Sequence, residues 1–155
     1  MMRIGTGFDI HRLVPGRRFV LGGVEIPSSK GCLAHSDGDV LIHAVIDAIL
    51  GALALGDIGK LFPDTDERYK DIDSQTLLMT VVAMISNHEI INLDTTVILQ
   101  TPKISCHTDE IVTNLAHLLR IDPSQVSVKA KTAEHLLGEL GSGDAVAAEA
   151  SVLIE

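Results

Sequence analysis

The chain has 155 residues, 46% of them hydrophobic, with a formal net charge of −9 and a mean hydropathy of +0.30. That length fits one domain with a real core, and the acidic balance excludes a general nucleic-acid binder. With no Trp, one Tyr and three Phe the core must be aliphatic, and no apolar run is long and uncharged enough to cross a bilayer.

The start, MMRIGTGFD, has neither a signal-peptide apolar region nor an Arg/Ser-rich transit segment. A cytoplasmic location is expected, or a plastid one if a transit peptide has been removed. Residues 3–11 alternate as a strand: Ile4, Phe8 and Ile10 share one face, and Gly5, Gly7, Asp9 and His11 the other. The two glycines would let another group approach the backbone closely. Phe19–Leu21 and Val24–Ile26 read as a hairpin around Gly22-Gly23, and SSKGCLA as a loop. Cys32 and Cys106 have neither disulfide nor metal-ligand spacing and read as inert thiols.

The stretch from His35 to Asp66 is the most informative. Ser36 is placed to cap a helix, with Asp37 and Asp39 in its first turn. Val40 to Leu55 is apolar on almost every side, which predicts a helix buried all round and ending near Gly56. Only His43 and Asp47 interrupt it, four residues apart on one stripe. Polar groups so buried cost free energy unless each is partnered. Asp57–Asp66 reads as a loop.

A helix capped by Ser74 should run to about Asn87, and a strand over Asp94–Gln100 should end at Pro102. Thr108–Leu119 reads as a helix. Gln125–Lys131 and Ala145–Ile154 read as strands around a flexible Leu136–Asp144 stretch. The sum is an α+β domain: a mixed sheet with helices packed on one face, all 155 residues in a single catalytic domain. The last strand is substantially apolar on both faces, so a second cover is needed, and a symmetric oligomer packing sheet against sheet is favoured.

Asp9-x-His11 sets a carboxylate and an imidazole on one strand face, and His43 is a third candidate ligand. One Asp and two His with an open fourth position suit catalytic zinc, with Asp47 holding the ring of His43. The bland alternative is a solvated strand end and a satisfied core histidine. The same donors match the facial triad of non-haem Fe(II) oxygenases, and a non-catalytic metal- or nucleotide-binding module would need nothing more.

The 35–66 block with the DxH pair, and RIGTGFDIH, LGGVEIP, TPK, VSVKAKTAE and AAEASVLI besides, closely resembles the 2-C-methyl-D-erythritol 2,4-cyclodiphosphate synthases over essentially the whole length. The resemblance implies intramolecular phosphoryl transfer with release of CMP, in non-mevalonate isoprenoid biosynthesis. It also implies a homotrimer whose sheets meet around a threefold axis, with active sites between subunits. Asp9, His11 and His43 match zinc ligands, and Glu134 a ligand of a second divalent cation, magnesium or manganese. His35 and Thr132 match groups that stabilise the transition state. Ser36 matches the phosphate-side loop, Asp57 and Gly59 the ribose contacts, and Phe62, Pro63, Asp64, Thr65 and Asp66 the wall around the methylerythritol hydroxyls. Leu99, Lys103, Ala130 and Lys131 match the cytidine pocket. One region departs from the pattern: in KTAEHLLGELGSGDA, Glu139 and Ser142 stand where Phe and Arg are common. This predicts weak or absent binding of isoprenoid diphosphates in the axial cavity that the resemblance implies.

Overall fold

In the computed structural model, which describes residues 1–155, a long first strand organises the sheet. This is β1 (Arg3–Pro15); it is followed by β2 (Val20–Leu21), β3 (Val24–Glu25), β4 (Lys30–Leu33), helix α1 (Val40–Ala52) and helix α2 (Ile58–Leu61). Then come α3 (Ser74–Met84), β5 (Ile90–Ile98), α4 (Thr108–Leu119), β6 (Val126–Lys131), α5 (Glu139–Ser142) and β7 (Ala145–Ile154). The main sheet has the order β4-β1-β7-β5-β6. Only β5 and β6 run parallel; the other neighbours are antiparallel. Helices α1, α3 and α4 pack over one face, so the mixed-sheet α+β expectation holds.

α1 lies in the centre of that layer. Every residue from Val40 to Ala52 is buried except Asp47 and Gly51. It sits directly on β1 because Gly5 and Gly7 leave room for its backbone. A Cβ on Gly7 would stand 1.9 Å from the Ala44 carbonyl oxygen, and one on Gly5 1.8 Å from that of Ala48. The close approach read from the sequence at these glycines is therefore made by the helix.

The Gly22-Gly23 hairpin forms with both glycines at positive φ, 59° and 78°, as a two-residue turn matching strand twist requires. Its backbone N–H groups donate to the carboxylate of Asp39, at 2.9 Å from Gly22 and 2.7 Å from Gly23. Asp39 also accepts from Ile42 N and is the N-cap of α1. Ser36 does not cap this helix, and Asp37 lies before its first turn. A fully buried aspartate that accepts three backbone N–H groups satisfies both the hairpin and the helix start, which a single serine oxygen three residues earlier cannot.

α1 also ends earlier than its apolar run. Ala54 takes a left-handed conformation (φ 56°), with Leu55 N donating to Leu50 O and Ala54 N to Gly51 O. This is a Schellman closure made without glycine at the turning residue. α3 starts at Ser74, but Asp73 is its cap. Three segments read as loop are ordered elements: β4, α2 and the helical turn α5. β5 begins at Ile90 because the ten-residue β7 offers it partners back to Ile154, across a bulge near Asn92.

The opposite face of the sheet is covered only at one end, where Leu140 of α5 packs with Ala133, Ala145, Ala147 and Ile98. Elsewhere it exposes Ile4, Phe8 and Ile10, at 75%, 53% and 47%. No helix is long and apolar enough to cross a membrane. Both cysteines are free, and burial pushes the Cys32 thiol up to about 12, which leaves it inert.

Gly7→Ala is expected to force α1 off the sheet. Overpacking against backbone that cannot rotate away costs about 2 kcal/mol or more. Urea unfolding measures it, and a change within about 0.5 kcal/mol, the range of neutral surface substitutions, would contradict this packing.

Candidate active site

Seating α1 on Gly5 and Gly7 brings His43 over the continuation of the same strand face, where Asp9 and His11 stand. Asp9 Oδ2 lies 2.9 Å from His11 Nε2 and 3.0 Å from His43 Nδ1. The two ring nitrogens are 3.1 Å apart. Three donor atoms thus form a nearly equilateral triangle. A tetrahedral zinc with bonds of about 2.0–2.1 Å needs ligand atoms roughly 3.3 Å apart. An outward adjustment of a few tenths of an ångström reaches this, and one coordination position stays open. The residues fit the metal.

Electrostatics bind the trio. Burial, the largest single influence on Asp9, raises its carboxyl. The hydrogen bonds and charges of His11 and His43 outweigh it and hold the group down to about 2. Burial likewise opposes charge on His43, but the hydrogen bond and charge of Asp9 leave it raised above its ordinary value.

Asp47 does not hold the ring of His43, contrary to expectation. Its Oδ1 accepts the Ile58 N–H at 2.7 Å and ties α2 to α1; burial pushes its carboxyl up. The second nitrogen of His43, Nε2, faces Ser74 Oγ at 2.8 Å and Ser36 Oγ at 3.3 Å. Four residues along a helix place Asp47 beside His43 on the surface of α1, but the ring points away toward the start of α3.

A cavity of about 400 Å³ opens over the triad, lined also by His35, Ser36, Gly59, Phe62 and Asp64. Asp57 caps α2 by accepting Lys60 N at 2.8 Å. His35 Nε2 donates to the Asp66 carbonyl at 3.1 Å, which draws the 62–66 loop over the cavity. Asp66 itself accepts from Arg68 and caps a short helical turn; Pro63 and Thr65 belong to the same loop without lining the cavity. Tyr69, Ile72 and Leu77 line it too, and sequence reasoning did not name them. Tyr69 packs edge-on against Phe62, with centroids 5.4 Å apart. Its being the only tyrosine was the available signal.

Leu99, Lys103, Ala130, Lys131 and Thr132 gather elsewhere, around a cavity of about 180 Å³. Thr132 Oγ1 donates to Glu134 Oε1 at 2.9 Å. The two groups lie toward the same end of the sheet. Asp9 registers with Ala148, Ala148 with Val97, and Val97 with Ala130. Three strand spacings separate them, about 14 Å.

A model of the YgbB family matches residues 2–155. The chain belongs to the YgbB family. A protein of Nitrosospira multiformis named 2-C-methyl-D-erythritol 2,4-cyclodiphosphate synthase is 53% identical to it over 154 residues, covering 98% of this chain and 86% of that protein. A Geobacillus protein of the same name is 53% identical over 157 residues, covering 100% and 99%. Among solved structures, a CDP-bound 2C-methyl-D-erythritol-2,4-cyclodiphosphate synthase has a TM-score of 0.90 at 39% identity, covering 99% of this chain and 100% of that one. A bifunctional IspDF from Campylobacter jejuni has a TM-score of 0.94 at 41% identity; this chain spans 42% of its length. As a YgbB member with synthase relatives at this identity, the chain is an enzyme, and the oxygenase and non-catalytic alternatives fall away.

In this YgbB enzyme the triad couples pH to metal binding. Asp9, lowered from 3.8 to about 2, gives the metal-free protein stability that is complete above the ordinary value and lost as pH falls toward 2. His43, raised above 6.5, gives stability that is complete below 6.5 and lost as pH rises through its folded value. A metal must displace the proton His43 carries in that window. Binding of a divalent cation near pH 6.5, the unshifted histidine value, is therefore expected to release a proton. Titration calorimetry in buffers of different ionisation enthalpy would show it, and an enthalpy independent of buffer would contradict the coupling.

Proposed function

We propose that the chain converts 4-diphosphocytidyl-2-C-methyl-D-erythritol 2-phosphate to 2-C-methyl-D-erythritol 2,4-cyclodiphosphate with release of CMP, as a single catalytic domain over 1–155 working in a homotrimer. The observation that carries this reading is the convergence of Asp9, His11 and His43 in the lining of a cavity that His35, Ser36, Gly59, Phe62 and Asp64 also line. The synthase names of relatives at 53% identity support the substrate.

The 2-phosphate oxygen of the substrate attacks the β-phosphorus of its own cytidine diphosphate arm. The bond from that phosphorus to the bridging oxygen breaks, and CMP leaves with the oxygen. Such a transfer depends on positioning and charge neutralisation more than on covalent help from the protein. Asp9, His11 and His43 would hold zinc, and Glu134 magnesium or manganese; the two cations would supply neutralisation of phosphate charge and polarisation of the phosphoryl group. His35 and Thr132 stabilise the charged transition state. Ser36 orients the phosphate, and Phe62, Pro63, Asp64, Thr65 and Asp66 enclose the methylerythritol hydroxyls and exclude water. Asp57 and Gly59 contact the ribose. Leu99, Lys103, Ala130 and Lys131 form the cytidine pocket. Holding the two ends of one flexible molecule in attack geometry is worth about 7–11 kcal/mol, which explains a site with clamps and no nucleophile.

Subunit assembly completes this arrangement. The cytidine cavity of one chain, three strands from its own triad, faces the triad of a neighbour. The open face carrying Ile4, Phe8 and Ile10 supports closure of three sheets around an axis, because leaving it in water forfeits apolar burial. Relatives of bacterial origin support a cytoplasmic setting over a plastid one.

With zinc and magnesium present, CMP and the cyclic product are expected in equal amounts by chromatography; a silent assay would contradict the reading. His43→Ala should remain folded, bind little zinc, and lose about 100-fold or more of its turnover, the scale of removing one preorganised electrostatic group. Undiminished turnover would remove His43 from the mechanism. Sedimentation is expected to give three times the 16.6 kDa chain mass; a monomer would contradict assembly of the site between subunits.

A further inference from the structure

Behind His43, on the side away from the ligand triangle, lies a polar group that does not line the cavity. Ser74 is the first residue of α3 and is fully buried. Its hydroxyl lies 2.8 Å from His43 Nε2 and donates to Asp37 Oδ1. Asp37 cannot turn away, because its carboxylate also accepts Ser74 N at 3.0 Å and Asp39 N at 3.1 Å. The backbone of Asp37 is pinned as well, since its N–H donates to the Ile72 carbonyl at 3.1 Å.

Counting hydrogens fixes the direction of this chain. A serine hydroxyl has one hydrogen, and here it goes to a carboxylate. The serine oxygen can therefore only accept from the imidazole, so Nε2 must carry a hydrogen. A neutral His43 with hydrogen on Nε2 has its lone pair on Nδ1, the atom 3.0 Å from Asp9 and 3.1 Å from His11 Nε2. The opposite tautomer would aim an N–H at the cation and a lone pair at a serine oxygen with no hydrogen to give. Ser36 Oγ, at 3.3 Å, is a weaker second acceptor that already takes the Gly38 N–H.

We infer that Ser74 and Asp37 are positioning residues for the metal centre: Asp37 orients the Ser74 hydroxyl, which fixes His43 as the Nε2–H tautomer with Nδ1 free to ligate. The inference rests on the reading of Asp9, His11 and His43 as metal ligands. The relay takes the place of the direct carboxylate, backbone carbonyl or water that a ligating histidine otherwise donates to, and it passes part of the Asp37 charge to the ring through a neutral hydroxyl. It also ties the metal centre to the start of α3, so the ring orientation is shared between two helices.

The test measures zinc affinity of the full-length protein by competition with a chromophoric chelator, beside the imidazole tautomer by long-range ¹H–¹⁵N NMR of the metal-free form. Ser74→Ala is expected to weaken zinc binding about 10–100-fold, the usual loss for a partner behind a ligand, and to mix the two His43 tautomers once His43 is neutral. Asp37→Asn keeps the shape and removes the charge, and should move both readouts in the same direction; it serves if the alanine variant does not fold. Ser74→Thr keeps the hydroxyl and should restore most of the affinity. Wild-type affinity with an unchanged tautomer in folded Ser74→Ala or Asp37→Asn protein would overturn the relay while leaving the metal ligands standing. Failure of the wild type itself to bind zinc would overturn both.

Discussion

The distance between one helix and one strand governs this molecule. α1 rests on β1 with carbonyl oxygens of Ala44 and Ala48 where the side chains of any residue but glycine would be. Ala148 and Ala150 of β7, next to β1, keep the rest of the seat shallow. At ordinary helix-on-sheet separation His43 would stand above Asp9 and His11 without reaching them. Removing two Cβ atoms lowers the ring until its Nδ1 is 3.0 Å from the carboxylate. The geometry of the centre is therefore set by backbone packing, and the ligands inherit its rigidity.

A second constraint orders the chain that enters α1. Asp37 and Asp39 are two residues apart and do different things. Asp39 is sealed in the core, where burial raises its carboxyl against the pull of three backbone donors. It joins hairpin, helix and entering loop at one point. Asp37 faces the start of α3. Between them the 35–39 segment has little freedom, and His35 and Ser36 are presented to the cavity from a fixed loop. The phosphate-binding role proposed for this loop would gain from this, because ordering it on binding would cost conformational entropy.

Much of this was legible in one dimension. The strand period of two in RIGTGFDIH and the two polar breaks in an apolar helix pointed to Asp9, His11 and His43 before any fold was known, because buried polar residues require partners. The sheet faces were legible for the same reason. What could not be read was pairing across long separations. Ser74 looked like a helix cap, and its hydroxyl in fact serves a histidine 31 residues away. Asp47 looked like the partner of His43 because helix periodicity reports adjacency on a cylinder and says nothing about ring direction. Ala54 turned the end of α1 in a conformation that sequence rules reserve for glycine, so the helix was read as reaching Gly56. Short elements such as β4 and α2 take their form from neighbours, β1 and Asp47 respectively, and their own sequence contains no period to read.

The measurement closest to the centre of this account is X-ray absorption at the zinc edge of protein loaded with one equivalent of the metal. Low-atomic-number scatterers only are expected, at about 2.0–2.1 Å, with the outer-shell pattern of two imidazoles and a coordination number of four. A sulfur shell near 2.3 Å, or the signature of fewer than two imidazoles, would mean that Asp9, His11 and His43 do not hold the ion together, and the chemistry built on them would have no anchor.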